Sequence, residues 1–162
     1  MTSPFPQTLA IGNAIVSYLT TLTYPGTSTT VYSLAQLESI KDAIDLTANG
    51  GICAEVYGDT DSSERRGFGG LVWDIQSWFI LSLCAMDTPQ HAQQIYNVRD
   101  AVMLPFQTHA VLGSQVSNLF HSQLKEGPGK FFRVQRSGQW LRAHLCLLET
   151  KQEYQITGGV IS

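Results

Sequence analysis

Gly70-Leu71-Val72-Trp73-Asp74-Ile75-Gln76-Ser77-Trp78-Phe79-Ile80-Leu81-Ser82-Leu83-Cys84-Ala85-Met86 is the most apolar stretch of the chain, and its reading decides the fold. Asp74 and Gln76 interrupt it, and it is too short to span a bilayer. It reads as one long strand. One face carries Trp73, Ile75, Phe79, Leu81 and Leu83, the expected core side. The other carries Asp74, Gln76 and Ser82, but also Val72, Trp78 and Ile80. A strand that is apolar on both faces needs cover on both.

Upstream, Ile52, Ala54 and Val56 alternate with Cys53, Glu55 and Tyr57, which predicts a strand. The polar run Gly58 to Gly67 between the two strands predicts a loop. Before it, Ile11, Ile15, Leu19 and Leu22 predict a helix over 8–23, ended by Tyr24-Pro25-Gly26. Ser33 and Gln36 have capping-box spacing and predict a second helix over 33–46, with Leu34, Leu37, Ile40 and Ile44 as its stripe.

Downstream, Thr88-Pro89 is a helix start: a capping hydroxyl, then proline at the first helical position. Ala92, Ile95, Arg99, Val102 and Phe106 mark the helical rows. Pro105 predicts a kink or restart, and Gly113 an end. The last third predicts strands over 116–124, 130–135 and 140–154, with turns at 126–129 and at Ser137-Gly138. Leu141, Ala143, Leu145 and Leu147 are the expected buried face of the final strand. Trp140 and Leu148 lie on its opposite side.

Short turns between strands favour an antiparallel or mixed sheet with helices packed on one face, an α+β fold. Residues 1–162 read as one domain with a short N-terminal arm (1–7) and a mobile C-terminal tail (156–162).

The net charge of −3 excludes a general nucleic-acid binder, which needs a basic surface to release phosphate counterions. Only 14% of residues are charged, and Ser, Thr, Gln and Asn supply the remaining polarity. Such a surface desolvates cheaply and suits extensive protein contacts. Cys53, Cys84 and Cys146 have no metal-ligand spacing and read as small apolar side chains in a reducing cytoplasm. The N-terminus has no signal-peptide pattern, and no membrane partner is expected.

The search for chemistry is short. Gly67-Phe68-Gly69-Gly70 lacks the Lys-Ser or Lys-Thr of a phosphate loop. Asp59-Thr60-Asp61 with Glu64 lacks the glycine and late glutamate of a calcium loop. His91, His109, His121 and His144 show no metal spacing, and there is no GxSxG. No catalytic residue, cofactor or metal is expected. Arg133, Arg136 and Arg142, with Lys125 and Lys130, read either as a docking face for an acidic partner or phosphate, or as ordinary charges on edge strands.

The strongest clue is the second sheet face. Trp78 and Ile80 on one strand, with Trp140 and Leu148 on another, are large apolar groups on the expected solvent side. A helix of the same chain is expected to cover part of them and assembly the remainder.

The order of elements resembles a known family. A leading helix ends in Tyr24-Pro25; Glu55-Val56-Tyr57-Gly58 runs into an arginine-containing loop; the long strand holds Trp73-Asp74; a helix carries Val98-Arg99-Asp100-Ala101-Val102; paired strands follow. Over residues 8–155 this resembles the tail terminator, or tail completion, proteins of long-tailed bacteriophages. The resemblance implies a hexameric ring of identical subunits that caps the tail tube, stops its elongation and offers the surface for head joining. Its implied partners are other copies of itself, the major tail tube protein and a head–tail connector protein. Genomic DNA would pass through without specific binding. The implied location is the virion, at the tail or neck, after assembly in the host cytoplasm. Candidate interface residues are Asp59, Asp61, Glu64, Arg65, Arg66, Phe68, Trp78, Ile80, Pro128, Trp140 and Arg142. Two other readings stay open: another connector component, such as an adaptor or stopper, or a small ligand-binding α+β domain.

Overall fold

The computed structural model describes residues 8–22, 34–38, 52–58, 64–68, 70–108, 120–124, 130–157 and 160–161. Two long antiparallel strands form its axis, β4 (Leu71–Ala85) and β7 (Gln139–Thr157). They pair along the whole of β4, from Leu71 opposite Gln155 to Ala85 opposite Leu141. The outer edge of β4 is shared by β2 (Ile52–Gly58) and β3 (Glu64–Phe68). The outer edge of β7 is shared by β5 (Phe120–Leu124) and β6 (Lys130–Arg136). β1 (Leu34–Leu37) adds to β2 in parallel, so the sheet is mixed. α1 (Thr8–Thr21) lies against β1 and β2, and α2 (Pro89–Thr108) against β4, β5 and β7. The fold is α+β, with the two described helices on one side of the sheet.

The α1 stripe is buried as its spacing predicts: Ile11, Ile15, Leu19 and Leu22 all enter the core. α1 approaches closely because residue 12 is glycine. A β-carbon there would lie 2.7 Å from Leu37 Cδ1 and 3.1 Å from the Trp78 ring. α2 starts at Pro89, and the His91 amide donates to Thr88 Oγ1 at 3.2 Å. Ile95, Val98, Ala101 and Val102 are its buried positions. The helix continues without a restart through Pro105 to Thr108; Gly113 lies outside the described residues.

Four expectations are corrected. Leu34–Leu37 is a strand, not the first turn of a helix: the edge of β2 offers a full backbone ladder, which outweighs a local cap. Glu38 ends this strand at φ 66, its amide donating to the Val56 carbonyl at 2.7 Å. The rest of the expected second helix lies outside the described residues. Glu64–Phe68 is also a strand, in a hairpin with β4 that turns at Gly70, φ 84. At the C-terminus, Val160–Ile161 (β8) pairs back on Ile156 and Thr157, so part of the expected mobile tail is a short hairpin.

The fourth correction concerns which sheet face is the core. Trp78, Ile80 and Cys84 of β4, Cys146 and Leu148 of β7, and Ile52, Ala54 and Val56 of β2 pack with both helices. Cys53, Leu83, Leu141 and Ala143 form a smaller cluster on the other face. Leu145 and Leu147, expected to be buried, are half-buried. Both faces of β4 are apolar, so alternation alone does not choose between them; helix packing does. Trp78 fits the deeper side because its indole N–H donates to Thr150 Oγ1 at 3.1 Å.

Candidate functional site

The candidate interface residues that are described fall in separate parts of the sheet. Trp78 and Ile80 are buried beneath the chain's own helices and are unavailable to a partner, which corrects their place in that set. Trp140 is 53% exposed at the start of β7, and Arg142 is half-buried two residues on. Glu64, Arg65, Arg66 and Phe68 lie on β3, along the outer edge of β4. Asp59, Asp61 and Pro128 fall outside the described residues.

Two arrangements that spacing did not reveal define the molecule's surfaces. The first is a clasp. Glu55 on β2 is fully buried, and Arg136 grips it with Nη1 to Oε1 at 2.7 Å and Nη2 to Oε2 at 2.9 Å. The Tyr57 hydroxyl donates to the same carboxylate. This hydrogen bonding to Glu55 raises the Arg136 guanidinium above its ordinary value, with partial burial opposing. Arg136 ends β6, and β7 and β4 stand between β6 and β2. In a flat sheet those strands would be about 14 Å apart, beyond the reach of an arginine. The sheet therefore curls, with the Cys53–Leu83 cluster on its concave side. Phe79, Leu81, Leu145 and Leu147 lie on that same face and are half-buried.

The second is a strip of alternating aromatic and cationic groups. Tyr96 of α2 meets Phe131 of β6 at a ring-centroid distance of 5.0 Å. Arg142 lies over Phe131 at 5.8 Å, and Arg133 over Trp140 at 5.7 Å. Alternation puts Phe131, Arg133, Trp140 and Arg142 on the side of the sheet that α2 occupies. Beneath Phe131 lies His144, fully buried, its ring 5.0 Å away and both nitrogens without a hydrogen-bond partner. Burial, then the nearby Arg99, lowers its pKa to about 4, with Asp100 opposing.

Among the described residues the buried titratable groups are engaged or shielded. The Glu55 carboxylate is engaged at both oxygens by Arg136 and Tyr57. Cys53, Cys84 and Cys146 are free and buried, and burial pushes each thiol up to about 12, far from a reactive thiolate at neutral pH. His91 sits over Asp87 at 2.7 Å at the start of α2 and holds that carboxyl below its usual range. Among the described residues no three His, Cys, Asp or Glu side chains group to hold a metal ion, and no helix is long and apolar enough to cross a membrane. The described residues thus form two chemically different features, a partly buried apolar row on the concave side and a cationic–aromatic strip. No family model matches the chain, and the comparison with curated proteins finds no match.

Proposed function

We propose that this chain is a structural subunit that works through its interfaces, forming a ring that caps a phage tail tube, ends its elongation and presents the surface for head joining. One observation carries the reading. The two described helices cover the same side of the sheet, and Phe79, Leu81, Leu145 and Leu147 on the concave side are only partly buried. A partner closing over this row would remove its remaining apolar surface from water. The cationic–aromatic strip supplies a second, different surface, as subunits of a ring require: each must make two unlike contacts around a rotation axis. The position at the tail end rests on the resemblance of the sequence to tail terminator proteins alone.

The test is electron microscopy of particles assembled without this chain. The reading predicts overlong or ragged tails that are not joined to heads. Tails of normal length would contradict it.

A further inference from the structure

Two positive charges stand face to face across the β6–β7 hairpin. Arg133 on β6 and Arg142 on β7 are direct cross-strand partners on one side of the sheet. Like charges in that register destabilise a strand pair. Each guanidinium lies over the aromatic ring on its diagonal, Arg133 over Trp140 at 5.7 Å and Arg142 over Phe131 at 5.8 Å. Among the described residues neither is paired with a carboxylate. A guanidinium resting on a ring uses its face and keeps its N–H edges for an acceptor. Beside them Trp140 is 53% and Tyr96 49% exposed. Exposed tryptophan, tyrosine and arginine side by side are the residue types that anchor protein contacts. The chain's charge is divided in the same place. Residues 130–148 hold Lys130, Arg133, Arg136 and Arg142 and no Asp or Glu, while all other positions together hold six Lys or Arg against thirteen Asp or Glu. Asp87, just before α2, and Asp100 within it are exposed members of that acidic set. Arg136 is bound to Glu55, and alternation puts Lys130 on the opposite side of the sheet, so Arg133 and Arg142 carry the charge of the strip.

We propose that this strip is the receiving half of a contact between copies of this chain, and that its occupant is a second copy, presenting its acidic remainder. The proposal rests on the self-association part of the functional reading and names the residues that receive the neighbour. Charge complementarity selects the occupant: a chain whose remainder is net negative attracts the positive hairpin of another copy. Two strips cannot face each other, because four guanidiniums would then meet with no counter-charge between them. The contact is therefore head to tail, the kind that repeats around a ring when the rotation closes. A nucleic-acid strand fits the strip less well. Two arginines in a net-negative chain release few phosphate counterions, and Arg133 already lies over the Trp140 ring on which a base would stack.

Analytical ultracentrifugation of the full chain across a salt series tests this. The wild type is expected to associate at low salt and to dissociate as salt rises. Arg133→Gln/Arg142→Gln should associate about tenfold more weakly. Its thermal melting should stay close to that of the wild type, because relief of the opposed charges offsets the lost ring contacts. Lys130→Gln, a charge loss on the other side of the sheet, should associate as the wild type does. A fluorescently labelled double variant, monomeric by itself, should still co-sediment with unlabelled wild type, since its acidic remainder meets an intact strip. A wild type that stays monomeric at every salt concentration would overturn the contact. So would a labelled variant that remains monomeric beside the wild type, or a Lys130→Gln chain weakened as much as the double variant. A double variant that associates like the wild type while losing affinity for a labelled single-stranded oligothymidylate would reassign the strip to nucleic acid. If the wild type associates and the double variant does so equally, only this contact falls; the tail-end role is judged separately, by tail length in particles lacking the chain.

Discussion

Glu55 and Arg136 stand 81 residues apart in the chain and form one buried, bidentate pair. Removing the arginine strands a carboxylate with no water to solvate it, so Arg136→Met should destabilise the fold by about 3 kcal/mol. Urea titration measures this, and Glu55→Gln in the same chain should recover most of the loss. His144 is the opposite case, a buried polar ring with neither nitrogen bonded. Its folded pKa, about 4, lies below the ordinary 6.5, so the unfolded state binds the proton more tightly. Stability is then greatest above pH 6.5 and falls as pH drops toward 4, by about 2–3 kcal/mol from this group. His144→Leu should raise stability at pH 7 and flatten the decline between pH 7 and 5 in thermal melts. Neither feature was legible in the sequence, because each depends on partners that only the sheet brings together. The cysteines were legible, since a small apolar group in a strand behaves alike in most surroundings.

Among the elements, α1 and the start of α2 follow from local signals: a stripe at helical spacing and Thr88-Pro89. These are statements about a few neighbouring residues, which short-range physics decides. Leu34–Leu37 shows where such signals fail. Leu34 and Leu37 satisfy a helical stripe as well as a strand, and the parallel ladder to β2 settles the matter. β4 was legible as a strand, but its core face was not, because apolar residues fill both sides. The contact of Gly12 with Trp78 marks the side chosen. Gly12→Val should cost about 2 kcal/mol or more, since the added carbons collide with the rigid indole and lift α1. Differential scanning calorimetry would show a lowered Tm; an unchanged Tm would mean that α1 does not rest on Trp78.

At the scale of the whole molecule, curling of the sheet joins fold to proposed function. The Glu55–Arg136 clasp ties β6 to β2, the curl makes one face concave, and the half-buried row from Phe79 to Leu147 lines it. The need for a covered second face was legible in the sequence, but it was assigned to Trp78 and Ile80, which the chain's own helices bury. The partly buried apolar row lies on the other face, and its position depends on helix placement that alternation does not encode. The central claim is that this surface and the cationic–aromatic strip assemble copies into a ring at one end of a tail tube. Cryo-electron microscopy of tail tubes incubated with the purified chain tests it most directly. The account predicts one ring of density at a single end of each tube, with Phe79, Leu81, Leu145 and Leu147 covered. Density spread along the tube wall, or none at either end, would contradict it.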